Sequence, residues 1–209
     1  MKKMFLLIFL SGCLIWIAGC GKKALIRKYY VLETVNMDQR NGPSYGDKIP
    51  IRVEIRDFQV AKAFDQTRIA LRTGSNEIDY YFYHHWAVRP TVALADMVYE
   101  IMEKSDLFLK ISREYSVTTE YTITGTIHRL ERVEGSFHPK AHLAGRLELI
   151  DVKEDLPVIG YEFDQKMDLR NDRSMNKFAA VLSEMLHQET EAFIRLMADH
   201  FEITEQAIE

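Results

Sequence analysis

The alternation of apolar and polar positions beyond residue 28 predicts a domain built mainly of β-strands. Residues 51–56 alternate strictly, which places Ile51, Val53 and Ile55 on one face of a strand. Residues 73–76, Thr-Gly-Ser-Asn, separate two of the predicted strands and are typical of a hairpin turn. Strand patterns are found at residues 29–35, 51–56, 68–72, 77–83, 107–111, 121–132, 140–152 and 157–167.

Two stretches show the spacing of an amphipathic helix. Pro90 begins the first, at the helical position where its missing N–H group is tolerated. Ser174, a residue that favours the N-cap, begins the second, which runs to about Phe201 and carries Glu184, Glu189 and Glu191 on its expected polar face. The order of elements predicts an α+β fold, a single mixed or antiparallel β-sheet with two amphipathic helices packed on one face.

The amino terminus has the pattern of an export signal. Three residues with two lysines precede an apolar run over residues 4–17, which is shorter than the ~20 residues that a membrane-spanning helix needs. Residues 17–20, Ile-Ala-Gly-Cys, match the lipobox of bacterial lipoprotein precursors. The resemblance implies cleavage before Cys20, a diacylglyceryl thioether on its sulfur and acylation of the new amino terminus.

Two alternatives to this processing remain open. Residues 10–13, Leu-Ser-Gly-Cys, also fit a lipobox, but cleavage before Cys13 would leave only residues 4–9 as the apolar segment. The apolar run could also be an ordinary signal peptide or an uncleaved anchor. We therefore expect three regions: a signal peptide at 1–19, a lipidated Cys20 with a basic tether at 20–28, and one domain at 29–209.

Charge and cysteine content narrow the function classes. Removing Lys2 and Lys3 with the signal takes the formal net charge from −4 to −6, which disfavours nucleic-acid binding. With Cys13 removed and Cys20 lipidated, the mature chain has no thiol for a disulfide. The basic residues of the tether, among them Lys28, either lie against anionic headgroups or are solvated. In the lipoprotein sorting pattern, Asp directly after the lipidated Cys implies retention in the inner membrane. This chain has Gly21 at that position, which favours the outer membrane.

Several short motifs, in a fixed order, resemble one protein family. They comprise Tyr-Tyr-Val-Leu at 29–32, the alternating strand at 51–55, Phe-Asp-Gln at 64–66, the Arg68 strand and, most distinctively, His-Trp-Ala-Val-Arg-Pro at 85–90. From residue 29 to about 201 the sequence resembles the ABC-type transport auxiliary lipoproteins, which include the paraquat-inducible C-type lipoproteins. It departs from them at residues 60–65, where members tend to have a Pro and a Tyr-Leu-Asp run, and residues 36–49 do not align.

The resemblance implies a non-enzymatic, periplasm-facing subunit of an envelope lipid-transport system. Its expected partners are an MCE-domain protein (named for mammalian cell entry) and the ABC permease and ATPase subunits. Its expected role is to dock the MCE assembly to the membrane that holds the lipid anchor. The alternatives are an outer-membrane lipoprotein that regulates cell-wall synthesis or braces the envelope, and an envelope hydrolase. A homo-oligomer, or a partner contact through the C-terminal half of the last helix, also remains open.

Aromatic residues are concentrated between residues 79 and 86. Alternation cannot bury all of them on one face, so we predict a partner-binding patch formed by Tyr81, Tyr83 and Trp86. In the alternative interpretation, Ile78, Tyr80 and Phe82 belong to the core, and Trp86 packs at the base of the first helix.

The sequence offers no catalytic or metal-binding motif. It contains no G-x-S-x-G, phosphate-loop or H-E-x-x-H pattern. His84 and His85 are neighbours and would point to opposite sides of a strand. His138 and His142 are separated by Pro139, which argues against a helix that presents both. We therefore predict no catalytic residue, no metal site and no cofactor other than the covalent lipid.

Overall fold

The structure is a computed structural model that describes residues 26–33, 45, 48–113, 118–134, 138–170 and 172–203. The predictions on the signal peptide, Cys13 and Cys20 lie outside the described residues, as does most of the 36–49 segment. Among the described residues, no helix is long and apolar enough to cross a membrane.

The described chain forms nine strands and two helices. The strands are β1 (Lys28–Tyr30), β2 (Ile49–Ile55), β3 (Gln59–Val60), β4 (Arg68–Arg72), β5 (Ile78–Trp86), β6 (Phe108–Ser112), β7 (Tyr121–Val133), β8 (Lys140–Asp151) and β9 (Leu156–Asp168). The helices are α1 (Pro90–Ser105) and α2 (Met175–His200). Pro90 stands at the start of α1, and the Ser174 hydroxyl caps α2 by accepting the N–H of Lys177 at 3.1 Å, as predicted.

Strand β7 lies at the centre of the sheet and is paired on both edges. Along one edge it runs antiparallel to β8, from Tyr121 opposite Asp151 to Val133 opposite Lys140. Along the other edge it pairs in parallel with β2, β3 and β4 in succession. Strand β6 lies beside β2, β5 beside β4, β1 beside β5 and β9 beside β8. The sheet is therefore mixed. Strand β2 pairs with the beginning of β7, and β4 pairs with its end.

One hydrophobic core lies between the sheet and the two helices. Helix α1 packs against α2 and β6, and α2 packs against β8 and β9. The largest fully buried side chains come from both layers: Phe178, Phe193, Leu94, Met97 and Met102 from the helices, and Ile55, Ile69, Ile123, Ile127, Leu130 and Leu143 from the strands. The predicted α+β class, with a mixed sheet and two helices, is confirmed.

Most predicted elements are observed, and the differences have local causes. The predicted first strand at 29–35 ends at Tyr30, and the backbone N–H of Glu33 instead donates to the Ser183 hydroxyl of α2 at 3.2 Å. The two-residue strand β3 was not predicted because two residues cannot show an alternation. The hairpin at 73–76 is confirmed by the antiparallel pairing of Arg72 with Ile78.

The prediction that Glu189 lies on a solvated helix face is wrong. Its side chain is buried at 3% exposure, and the Tyr161 hydroxyl donates to its Oε2 atom at 2.5 Å. Burial, together with this bond to a carboxylate, raises the pKa of Tyr161 to about 12, so the phenol stays protonated. The buried face of α2 continues beyond Glu189 to Phe193 and Met197, and the C-terminal half of the helix therefore belongs to the core.

A row of charged side chains crosses the opposite face of the sheet. The Oε1 atom of Glu131, on β7, accepts from Arg72 Nε at 2.7 Å and lies 3.1 Å from His142 Nδ1. His142 Nε2 lies 2.8 Å from Asp164 Oδ1 on β9. Burial alone would raise the pKa of Glu131, but the hydrogen bonds from His142 and Arg72 outweigh it and lower the pKa. The row links β4, β7, β8 and β9.

Gly125→Ala should destabilise the domain, because a Cβ atom at this position in β7 would lie 2.5 Å from Phe58 Cδ2. Phe58 is 2% exposed, so its ring has no free space into which to move. We expect a loss of about 1–3 kcal/mol in the free energy of unfolding, measured by urea denaturation. Gly74→Ala is the matched control, since its Cβ meets nothing nearer than 3.5 Å. Equal stability of the two variants would contradict this packing.

Candidate functional site

Strand β5 bulges where its aromatic residues are concentrated. In the ladder between β5 and β4, Tyr80 lies opposite Ala70 and His85 lies opposite Arg68. Between these two pairs, four residues of β5 therefore face a single residue of β4. On the other edge, β1 pairs only from His84 onwards. Tyr81, Phe82 and Tyr83 are thus outside both described ladders, and we call them the aromatic bulge. Such an insertion turns side chains away from the regular alternation.

The bulge changes which aromatic residues are exposed. Trp86 is 3% exposed and packs on Phe178 of α2 with ring centroids 6.0 Å apart, so its predicted place on a surface patch is wrong. Phe82, which the alternative interpretation buried, is 65% exposed. Tyr81 and Tyr83 are partly buried, and their role in partner binding remains a prediction.

An open cleft of about 710 Å³ lies beside the bulge, where β1, β5 and β7 meet the start of α2. Three cations from separate parts of the chain line it: Lys28, Arg132 and Arg173. No carboxylate is among its lining residues. We call it the basic cleft, and its remaining lining residues are Tyr29, Tyr30, Tyr81, His84, Ser174, Met175 and Asn176.

Arg132 fixes one wall of the cleft to the start of α2. Its Nη1 atom donates to the backbone carbonyl of Arg173 at 2.9 Å and lies 3.3 Å from Met175 Sδ. Its Nε atom pairs with Glu134 at 3.0 Å, and the side chain is largely buried. Helix α2 begins here with its N-terminal end, which carries a partial positive charge. The wall is therefore rigid and electropositive.

His84 responds to this positive environment. Burial lowers its pKa first, and the charges of Lys28, Arg132 and His85 lower it further. Burial also raises the pKa of Tyr30, whose hydroxyl lies 2.8 Å from His84 Nδ1. We infer that the Tyr30 hydroxyl donates to Nδ1 of a neutral imidazole, which places the ring proton on Nε2.

Tyr81 belongs to the cleft wall as much as to the bulge. Its ring meets His84 edge-on, with centroids 5.3 Å apart. Burial raises the pKa of Tyr81, while Arg132 opposes and Glu134 adds to that change. The predicted patch residue thus has part of its surface committed to the cleft, whereas Phe82 and Tyr83 form the outer part of the bulge.

Exposed apolar side chains lie on β1 and β5, which line the cleft, and just before β1. Tyr29 is 61% exposed and contacts the His85 ring at a centroid distance of 5.7 Å, and Ile26 is 76% exposed. Phe82 meets Tyr83 edge-on at 4.8 Å, and its carbonyl lies 3.1 Å from His85 Nε2. The site therefore combines a cleft lined by three cations with aromatic side chains on β1 and β5.

The remaining candidate chemistry is structural. In the described part of the chain, no group of three or more His, Cys, Asp or Glu residues could hold a metal ion. His142, considered above as a ligand, is held between Glu131 and Asp164. His138 is exposed at the start of β8.

Comparison with known proteins identifies the family. The model of the ABC-type transport auxiliary lipoprotein component matches residues 30–193, from the end of β1 to the last third of α2. The chain belongs to this family of bacterial transport-associated lipoproteins. The matched residues include the aromatic bulge and the strands β5 and β7, which contribute to the walls of the basic cleft.

Solved structures support the fold. A Xanthomonas campestris protein of the DUF330 family is 19% identical, with a TM-score of 0.63, over 81% of this chain and 91% of its own. A second protein, described only as uncharacterized, is 12% identical with a TM-score of 0.65, over 82% of this chain and 99% of its own. No curated protein matches the chain in sequence.

The free energy of unfolding should fall as pH decreases below 6.5. The pKa of His84 is lower in the folded state than its ordinary 6.5, so the unfolded chain binds a proton first. This contribution is fully present above pH 6.5 and is lost as pH falls through the folded pKa. His84→Gln should flatten the dependence between pH 7 and 5 in chemical denaturation. Unchanged slopes in the variant would contradict the assigned environment, and His138→Gln at an exposed position serves as control.

Proposed function

We propose that this protein is a lipid-anchored, periplasm-facing auxiliary subunit of an ABC transport system of the MCE type that moves lipid across the envelope. Its proposed role is to dock the MCE assembly to the membrane that holds its own anchor. The observation that carries this proposal is the family match, which extends from β1 to α2 and therefore includes nearly the whole folded domain. In this role the chain performs no catalysis, and the energy for transport comes from the ATPase partner.

The anchor is the diacylglyceryl group on Cys20. Seven residues separate it from Lys28, and over the eight Cα-to-Cα steps, at ~3.5 Å each, the start of β1 lies at most about 28 Å from the Cys20 Cα atom. More than one acyl chain makes membrane attachment effectively permanent. Gly21 after the cysteine favours the outer membrane. The domain would thus be held close to the bilayer with its β1 edge nearest.

The partner contact is proposed at the outer part of the aromatic bulge. Phe82 is exposed and lies edge-on to the partly buried Tyr83, and exposed aromatic side chains are typical of protein-binding surfaces. Tyr81 supports the bulge from the cleft side. Trp86 is excluded from this contact because it is buried against α2. The MCE-domain protein is the partner proposed to bind this surface, and the permease and ATPase subunits associate with the chain through that protein.

Cys20→Ser should abolish lipid attachment and release the protein from the membrane fraction. Cys13→Ser is the matched control and should leave processing and membrane association unchanged, because Cys13 would be removed with the signal peptide. Intact-mass measurement of the purified protein and membrane flotation read out the two properties. Loss of lipid in Cys13→Ser with retention in Cys20→Ser would overturn the assignment of the anchor.

Tyr83→Ala and Phe82→Ala should reduce recovery of the MCE-domain protein at least severalfold, because Phe82 is an exposed aromatic contact and the partly buried Tyr83 packs edge-on against it. In-cell crosslinking, affinity purification from solubilised membranes and quantitative mass spectrometry measure the recovery. Leu109→Ala is the control: Leu109 is 60% exposed, but it lies on β6.

Strand β6 joins β7 through β2, at the opposite end from β4 and β5. The two pairing regions lie about 26 Å apart, eight residues of β7 at ~3.3 Å each, from Ile123 to Glu131. Recovery of cell-wall enzymes alone, or of further copies of this protein alone, would overturn the transport proposal in favour of a structural or regulatory lipoprotein.

A further inference from the structure

Two strands at the ends of the sheet, β6 and β9, each have one edge without a partner strand. In the part of the chain that the structure describes, β6 pairs with β2 alone and β9 pairs with β8 alone. The outer edge of such a strand presents backbone N–H and C=O groups to a further strand. Strand β6 has five residues and β9 has thirteen, so both are long enough to form a ladder with another chain.

The two edges run in the same direction and have matching faces. Strand β6 is parallel to β2 and β2 to β7, while β9 is antiparallel to β8 and β8 to β7, so β6 and β9 are parallel to one another. Traced through the same ladders, Lys110 of β6 and Glu162 of β9 lie on one face of the sheet, the helix-free face that carries Glu131. A second copy rotated about an axis along the strands would therefore place its β9 parallel to β6, with both faces continuous.

The side chains on these two edges carry opposite charges. Lys110 is exposed, and its ammonium group has no hydrogen bond or ion pair with any residue that the structure describes. On β9, the side chains of Glu162 and Asp164 are 77% and 71% exposed. Glu162 has only a long contact of 3.5 Å with Arg146 on the neighbouring strand. Strand β6 thus offers a cation to a further strand, and β9 offers two carboxylates.

One register of a parallel ladder brings these charges together. It places Lys110 of one copy opposite Glu162 of the next, and opposite charges that face one another across a ladder are stabilising. The adjoining pair is then Ile111 and Phe163, two apolar residues on the face that the helices cover. Lys166 lies beyond the end of β6 in this register, so it does not face Lys110.

Pairing between two like edges is less favourable. Two β6 strands related by a twofold axis are antiparallel, and full overlap of their five residues puts Lys110 opposite its own copy. Two β9 strands put Glu162 or Asp164 opposite its own copy, or the two opposite one another when the axis passes at Phe163. Like charges directly opposite in a ladder are destabilising. The charges therefore favour a contact between the two unlike edges.

We propose that the outer edge of β6 pairs in parallel with the outer edge of β9 of a second copy, with Lys110 opposite Glu162, so that copies assemble head to tail. Such a contact repeats on every copy and closes into a ring where its rotation permits. In a closed ring each copy is held by two contacts, so a ladder of five residues need not bind tightly by itself. The aromatic bulge belongs to neither edge, and the assembly does not depend on the proposed docking of the MCE-domain protein.

Thiol crosslinking of the full-length lipidated protein in isolated membranes tests the contact. Lys110→Cys combined with Glu162→Cys supplies one thiol at each edge, in a mature chain whose own Cys20 is expected to carry lipid. A short bifunctional maleimide should then join copies into a series of dimers, trimers and larger species on denaturing gels. Each single variant should remain monomeric, because its one thiol has no thiol opposite. Lys110→Cys combined with Lys62→Cys is the matched control, since the exposed Lys62 lies outside both edge strands.

Charge reversal tests the register. Lys110→Glu and Glu162→Lys should each weaken self-association in nonionic detergent at least severalfold, measured by analytical ultracentrifugation, because like charges then face one another. The variant that combines both changes should regain association, and an equimolar mixture of the two single variants should co-assemble, since both contacts then join opposite charges. Lys153→Glu, the same reversal in the β8–β9 turn, should assemble as the wild type does. Leu109→Ala keeps Lys110 and the backbone ladder, so it remains suitable as the control for the bulge.

The outcomes distinguish the proposed contact from its alternatives. Species larger than a dimer in the double cysteine variant, absent from the single variants and from the Lys62 control, support it, as does recovery of association in the charge-swapped protein. Absence of such species, equal crosslinking of the control, or no recovery after the charge swap overturns it. Dimers of the single Lys110→Cys variant would indicate pairing of two β6 edges and would also overturn it. Thermal melting verifies that each variant is folded, and recovery of the MCE-domain protein is scored separately.

Discussion

The two-sided pairing of β7 is the constraint on which the rest of the structure depends. Thirteen residues, Tyr121–Val133, pair with β8 along one edge and with three successive parallel strands along the other. Because side chains alternate along a strand, β7 places Glu131 in the charged row on one face and Arg132 in the basic cleft on the other. A shift of one residue in register would exchange these two charges between the faces. The pairing of β7 therefore sets both the polar row and the site.

The elements of the fold could be predicted from sequence because their signals are local. The alternation in 51–56, Pro90 at the start of α1 and the Ser174 cap each act within a few residues, and all are observed. The prediction of which aromatic residues between 79 and 86 are exposed was wrong because the signal for their exposure is not local. Whether Phe82 or Trp86 is buried depends on the bulge against β4 and on the pairing of β1, which alternation cannot reveal. The prediction that Glu189 is solvated was wrong for the same reason, since its partner Tyr161 lies on another element.

The basic cleft could not be predicted because its cations lie far apart in the chain. Lys28 belongs to β1, Arg132 to β7 and Arg173 to the segment before α2, and each has an ordinary sequence context. Sequence reasoning assigned Lys28 only to a basic tether and overlooked both arginines. The signal that was present, a cationic tether directly before a predicted strand, left open a membrane-proximal surface or a solvated tether and did not indicate a cavity. Only the parallel pairing of β1 with β5 brings Lys28 to the cavity wall.

The short strand β1 connects the proposed anchor to the site mechanically. It has three residues, yet it is held by its ladder to β5, by the buried Tyr30 and by the Tyr30–His84 hydrogen bond. A tether that ended in a loose segment would let the domain rotate freely above the bilayer. Because Lys28 pairs opposite His84, the tether instead enters the domain at the cleft itself. Lipid attachment at Cys20 would then fix which side of the sheet approaches the membrane, because the exposed Lys28 lies at the end of the tether.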